Sequence, residues 1–511
     1  MKFYKNALFF SFFLFPLILL ISCTSPTGTK IGTLTGVVQL EGQADHSGIV
    51  IGIYEPADLD PDIVEANTNW PHIGVIINQH TEFDHRFSTL LKTGETDASG
   101  YFKITDIPTG SYNVVAIKNG FGFRYIYEIS ISEGNNGLSA KNKDKRSKIK
   151  SENSTDVLNL SSLVFDLNNR TSDFTLYPET IINSDITAPT TWQTDHHYIV
   201  EQDITVGDEL TIEPGAVVRL NQGKEITSYG SFNAVGEYEN FIWFTKNDGF
   251  SENLYSIEPD SNYFWDKVTL ESYSQAQVRW CKFDWANIGL FNHINGFNIS
   301  DCIFKENQCG FKVEGVDSTF CSNLLCLDIY NEEQAGIYYS QVSEGLIEKN
   351  IMNDCKNGML IKDESDPEVE NNYLENCQIG IEISYHSSPE VHNNEVCGFD
   401  YAIYIAHWSD PIIEKNNVNA TVGIRMYNFG YRQSEIHYNN LNCSKYAIEL
   451  RADHYTPIYY DVSAENNYYY TNSESEIETL LYDKHDGHEF IEGEIIYKPY
   501  LTTLNIYSGI F

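Results

Sequence analysis

Five short segments in the second half of the chain repeat one pattern. The polar residues at equivalent positions in them are the first candidates for chemistry: Glu348, Glu370, His392, Glu414 and His437. If consecutive segments are neighbouring strands, about 4.8 Å apart, like charges crowd and carboxylate pKa values rise. Such a row would serve as a general acid or as calcium ligands. The competing reading is a solvated outer face on which two histidines relieve repulsion. A second row, Glu382, Tyr404, Arg425 and Glu449, leads to a corner holding Tyr385, His386, His407, Trp408, Tyr427, Phe429, Tyr431 and Arg432. Exposed rings beside carboxylates and guanidiniums suit sugar recognition, because rings stack on apolar sugar faces while charged groups bond hydroxyls. The same rings could equally pack on one another across coils. For a lyase or hydrolase, Arg425 and Arg451 would neutralise a uronate, and Glu382 with Glu449 would act as acid and base. The ligand-binding candidates are therefore Glu382, Tyr385, Tyr404, His407, Trp408, Arg425 and Tyr427. No catalytic residue is assigned, and neither metal nor cofactor is expected.

The elements that must position these residues follow from the repeat. Between Ser343 and Leu450 the stretches Gly345 to Asn350, Pro367 to Asn372, Pro389 to Asn394, Pro411 to Asn417 and Ser434 to Asn440 align. Each is followed by a second apolar run, as in Gly380-Ile381-Glu382-Ile383. A short fixed period marks a solenoid, whose units bury their apolar faces only against their neighbours. Apolar and polar residues alternate, the runs are short, and Ile and Val dominate, so the units are strands. Two or three such strands per turn, with Asn, Gly and Asp-Pro corners, stack into a parallel β-helix. The pattern from Leu176 to Leu501 resembles the right-handed parallel β-helix family, the fold of pectate lyases. That resemblance implies a fold and not an activity.

The N-terminus reads as an export signal: two lysines within Met1 to Lys5, an apolar run from Ala7 to Ile21, then Leu20-Ile21-Ser22-Cys23. A transmembrane helix competes, but the run is short and ends in a small-residue cleavage context. Leu20 to Cys23 resembles a bacterial lipobox, which implies cleavage before Cys23, lipidation of its sulfur and anchoring to the outer membrane. Residues 23–31 form a tether. Residues 32–132 alternate as strands with tight turns at Asp97 to Gly100 and Pro108 to Gly110, the turn at Asp97 leading Tyr101, Ile104 and Ile107 towards a core. This stretch resembles the carboxypeptidase regulatory-like domain, a non-catalytic β-sandwich. It departs from that family by an insertion from about Tyr54 to Leu91 with Trp70, His72, His80 and His85, read as an exposed loop. Residues 133–175 are a linker with a basic run from Lys141 to Lys150, and an apolar patch, Val157 to Leu167, returns to one of the domains. Residues 176–501 form the solenoid, capped at its end by a short helix over Glu474 to Tyr482 and a closing strand over Tyr497 to Leu501, and 502–511 form a tail.

Lysine plus arginine number 33 and aspartate plus glutamate 72, a net charge of −39, which makes nucleic acid and anionic lipid poor partners. Beyond Cys23, nine cysteines all fall in the solenoid. Their odd number and repeated placement favour an interior column of thiols over disulfides, with a zinc site less favoured still. The fold class is thus all-β, a sandwich followed by a β-helix. The expected function is a cell-envelope lipoprotein whose β-helix binds polysaccharide or a surface protein without catalysis. The alternative is a tethered polysaccharide lyase or glycoside hydrolase. Regular coils without long loops favour the first, and Asn247 to Phe264 is the one sizeable candidate for a cleft wall.

Overall fold

A computed structural model describes residues 30–137, 174–257, 259–329, 331, 334–427, 434–455 and 457–511. The lipobox with Cys23, the basic run, the apolar patch at Val157 to Leu167, and Phe429, Tyr431 and Arg432 lie outside the described residues. No described helix is long and apolar enough to cross a membrane.

Two four-stranded sheets build the N-terminal part. One joins Ile31–Leu40 to Tyr101–Pro108, Gly134–Gly137 and Phe174–Leu176; the other orders Leu90–Glu95, Val50–Tyr54, Gly110–Lys118 and Gly122–Ile131. Their facing side chains, among them Leu34, Val38, Ile51, Phe102, Ile104 and Val114, share one core. Gly100 closes the Asp97 turn at φ +80°, and Asp97 Oδ1 accepts from the backbone N–H groups of Ser99 and Tyr101. Ile104 and Ile107 enter the core as expected, but Tyr101 is 43% exposed and its neighbour Phe102 is buried in its place. Leu176, placed by sequence at the start of the solenoid, is buried in this same core.

The rest is a solenoid of about 12 turns. Each turn contributes one strand to each of three parallel sheets. In one turn Glu368–Glu370 belongs to sheet I, Tyr373–Glu375 to sheet II and Ile379–Ile383 to sheet III. In-register stacking aligns every inward residue with its equivalents. Val369 sits on Val391 and below Ile347, and Ile381 lies between Met359 and Ile403. All are fully buried, and each such aliphatic side chain contributes about 1.5–3 kcal/mol on leaving water.

The corners carry their own ladders. Lys349, Asn371, Asn393, Lys415, Tyr438 and Asn466 take left-handed backbone conformations between sheets I and II. The residue after each is a buried asparagine: Asn350, Asn372, Asn394, Asn416, Asn439 and Asn467. Each amide nitrogen donates to the next asparagine's Oδ1 at 2.9–3.0 Å, and each Oδ1 also accepts the preceding asparagine's backbone N–H. The column thereby satisfies backbone groups that the turns would strand in the interior. Beyond the last coils the helix Glu474–Thr479 and the strand Ile495–Ile496 close the end. Tyr497 to Leu501, expected as that closing strand, is irregular and contains the cis Lys498–Pro499 bond. The C-terminal tail runs back over the sheet I–II corner as a strap. Asn505 exchanges hydrogen bonds with Asn440, Ser508 reaches Tyr438 and Asn417, and the backbone N–H of Phe511 donates to Asn371 Oδ1.

The insertion at 54–91 is not an exposed loop. Asp60 caps the helix Pro61–Asn69, and Ile63, Ala66, Ile73 and Ile77 pack on Ile303, Leu325 and Ile351 of sheet II. His85 is buried with Nδ1 2.7 Å from the Tyr125 hydroxyl, His80 Nδ1 faces the Glu239 carbonyl, and His72 Nε2 lies 3.0 Å from the Phe511 carbonyl. His80 and His85 serve packing, while His72 stays exposed as the sequence suggested. The stretch from Asn247 to Phe264, expected as a cleft wall, also docks the sandwich: Phe250 stacks on Phe123 with centroids 4.8 Å apart, and Glu252 accepts from the Asn119 backbone.

Candidate functional site

The outward row of sheet III is present as expected, with Glu382, Tyr404, Arg425 and Glu449 in register. Its chemistry differs from expectation. Glu449 is fully buried, and both Arg425 (Nε to Oε2, 2.5 Å) and Arg451 (Nε to Oε1, 2.9 Å) close on it. Arg425 also lies 3.9 Å from the Tyr401 ring centroid. The two guanidiniums proposed for a uronate are therefore engaged with the carboxylate proposed as acid or base. Burial raises the pKa of Glu382 and pushes the Tyr404 phenol up to about 12. The Tyr427 hydroxyl donates to Asp453 at 2.6 Å.

Tyr385, His386, His407 and Trp408 do meet at the sheet III–I corner, each with a positive φ. Spacing of 22 residues stacks Tyr385 on His407 (4.4 Å between centroids) and His386 on Trp408 (5.4 Å). The rings thus spend faces on each other. Tyr385 remains 46% and Trp408 40% exposed, so the corner offers edges more than open faces.

The sheet I row splits by coil. Glu348 pairs with Lys349 and Glu414 with Lys415 on their own corners, and His437 Nδ1 lies 3.0 Å from the Glu465 carbonyl. Between them Glu370 and His392 face each other without a lysine, and Glu368 joins them from the adjacent column.

One groove was not singled out from sequence. A groove of about 870 Å³ runs between the helix Pro61–Asn69 and sheet II, continuing to the sheet II–III turns. Its floor is set by strand register: Tyr373 aligns with Glu395, and Glu375 with Cys397, while Asn419 and Asn442 extend the row. Asp62, Glu65 and Trp70 form the opposite wall, and Asp400 lies at the turn. Trp70 and Tyr373 meet with centroids 5.1 Å apart. The Tyr373 hydroxyl donates to Glu375 at 2.7 Å and Asn417 Nδ2 to Glu395 at 2.9 Å. Burial raises the pKa of Glu375, with Asp62, Glu65 and Asp354 adding repulsion against the Tyr373 hydrogen bond; burial likewise raises Glu395, with repulsion from Glu375. No lysine, arginine or histidine lines the groove among the described residues. Its floor is a row across four coils, and its far wall comes from about 300 residues upstream by sequence number, so no local pattern announces it.

A family model described as the right handed beta helix region matches residues 268–418 and 321–467, the middle of the solenoid. The chain therefore contains a right-handed parallel β-helix domain. No curated protein and no solved structure matches the chain.

Proposed function

We propose that the chain is a glycan-binding platform of the bacterial cell envelope, anchored through Cys23, that holds a neutral or amino-sugar chain in the sheet II groove without cleaving it. A right-handed β-helix fits a carbohydrate-related role, and the lining of the groove carries the rest. Trp70 and Tyr373 supply apolar faces, while Asn419, Asn442 and the carboxylates of Asp62, Glu375, Glu395 and Asp400 bond hydroxyl or ammonium groups. The same carboxylates repel uronates, and no cation in the lining offsets them. The stacked corner at Tyr385, His407 and Trp408, with Glu382 and Tyr404 beside it, is a second, shallower contact on the opposite edge of sheet III, for polysaccharide or a surface protein.

The test is affinity electrophoresis and calorimetry of the chain with neutral glucans, xylan, chitosan oligomers, pectin and alginate. Retention by a neutral or amino-sugar polymer, lost in Trp70→Ala and in Glu375→Gln but kept in Tyr385→Ala with Trp408→Ala, is expected. Retention by pectin or alginate alone, or indifference to Trp70→Ala, would overturn the groove reading.

A tethered glycoside hydrolase is the second reading, favoured by Glu375 and Glu395 on adjacent coils, both raised towards an acid's working range. Release of reducing ends, abolished by Glu395→Gln, would establish it.

A further inference from the structure

We propose that Glu368, Glu370 and His392, on the outer face of sheet I, bind one divalent first-row transition metal ion such as Zn²⁺ or Co²⁺. One ligand atom from each of the three lies within 4.8 Å of the other two. His392 Nε2 is 2.9 Å from Glu368 Oε1, and its Nδ1 is 3.7 Å from Glu370 Oε2. Metal–ligand bonds of about 2.0–2.1 Å put neighbouring ligand atoms roughly 2.9–3.4 Å apart, so Glu368 and His392 are already at coordination spacing. Glu370 approaches from the Nδ1 side, so its side chain has to turn towards Nε2 to complete the set. The three residues stand on two strands held in register, Glu368–Glu370 beside Glu390–His392, so the backbone fixes their spacing.

Charge separates these coils from their neighbours. At the flanking coils the left-handed corner residue is a lysine that neutralises the row, Lys349 on Glu348 and Lys415 on Glu414. At the two central coils the corner residues are Asn371 and Asn393. Among the described residues the carboxylates of Glu368 and Glu370 then share His392, and a dication with a neutral imidazole balances them.

Asn393 stands behind the imidazole at the same corner. Its Nδ2 faces His392 Nδ1 at 3.3 Å, while its Oδ1 is buried without a hydrogen-bond partner. Turning the amide over would aim that oxygen at Nδ1–H, the outer contact that fixes a ligating histidine's tautomer and leaves Nε2 for the metal. One imidazole with two carboxylates selects a transition dication over Ca²⁺, which takes oxygen ligands throughout. The solvent side leaves coordination positions for water or a ligand.

The purified chain, stripped with chelator, is titrated with Co²⁺ in excess Ca²⁺ and followed by visible absorption, then by displacement with Zn²⁺. One equivalent of Co²⁺ should bind with ligand-field bands and leave with one equivalent of Zn²⁺. His392→Ala and Glu370→Gln should each weaken binding by about tenfold or more, whereas Glu414→Gln should leave it within about twofold. Circular dichroism checks the fold, and Glu368→Gln removes a ligand charge at constant volume as a second variant. Unchanged affinity in His392→Ala, loss of Co²⁺ to Ca²⁺, or no Co²⁺ bands in the folded chain would overturn the site.

Discussion

Arg86 and Asp84 form a buried ion pair in which Arg86 Nη2 lies 2.7 Å from Asp84 Oδ2 and Nε reaches both carboxylate oxygens at 3.0 and 3.1 Å. The same guanidinium crosses to the solenoid. It donates to Thr245 Oγ1 at 2.9 Å and to the carbonyls of Lys246 and Asp248, with the Phe250 ring 4.3 Å away. A salt bridge between Lys305 and Glu82 and a hydrogen bond from the Lys282 ammonium to the Thr81 carbonyl flank it. Desolvation offsets most of the attraction in such a pair, so its main effect is orientation: the insertion seats on the solenoid in one way only.

Removing one partner should therefore cost more than removing both. Arg86→Ala strands the Asp84 charge and should destabilise the chain by about 3–5 kcal/mol, while Arg86→Met with Asp84→Leu should cost much less. Urea unfolding and limited proteolysis at the insertion measure this. Equal losses in the single and double variants would mean that the pair is not dry.

His85 makes stability depend on pH. Burial, only partly countered by Asp84, lowers its pKa from 6.5 to about 4. Above pH 6.5 it is neutral in both folded and unfolded chain. As pH falls from 6.5 to 4 the unfolded chain takes up a proton that the folded one refuses, and stability drops by about 3 kcal/mol. Asp84 acts lower: burial raises it but Arg86 holds it at about 2, so its contribution is intact above about pH 4 and is lost as pH falls towards 2. In His85→Gln the loss between pH 6.5 and 4 should shrink in denaturation midpoints, and the step near pH 2 should remain. His197, buried beside Phe123 and Arg219 and also held well below its usual pKa, leaves a residual slope.

The coils were legible because their period is fixed. Asn372, Asn394 and Asn416 recur every 22 residues, and each strand's inward residue repeats with them, so ladder and core could be read from one dimension. The pairs Tyr385–His407 and His386–Trp408 carry the same spacing, which is why the corner was found although its rings stack on one another. What the sequence hid depends on contacts without a period. Arg86 meets Thr245 across 159 positions, and Asn353 meets Asp60 across 293. An insertion rich in His, Trp and Asp looks solvent-loving until its partners are known. Glu449 was misread for a related reason: alternation marks it as outward, but Arg425, Arg451 and the coil beyond enclose it.

The asparagine ladder should fail at a single rung. Asn394 donates to Asn416 Oδ1 and the Val369 carbonyl, and accepts from Asn372 through both its side chain and its backbone. Asn394→Ala leaves the Asn372 donors and the Val369 carbonyl unsatisfied in a dry interior, at about 1–3 kcal/mol for each stranded group, less any that water can reach. Asn394→Leu should be no better, since its bulk has no cavity to fill. Equilibrium unfolding of the two variants measures the loss. Wild-type stability in either would show that the column is not needed to satisfy the turns.

Cysteine reactivity tests the interior. Cys281, Cys302, Cys309, Cys321, Cys326, Cys355 and Cys377 are buried thiols, and burial pushes Cys309 and Cys321 up to about 12. At pH 8 a thiol with that pKa is ionised on the order of one part in ten thousand, and reagent cannot reach it. Cys397 and Cys443 are half-buried beside the groove; burial raises both, and Glu395 and Glu375 add to the shift at Cys397. Ellman's reagent should therefore label almost nothing in the folded solenoid, begin with Cys397 or Cys443 at high pH, and reach nine solenoid thiols in guanidinium. A glycan seated in the groove should slow those first two and leave the rest unchanged. Rapid labelling of Cys309 in the folded chain would mean that the coils open, and the stacked interior would then be the part of the structure to revise.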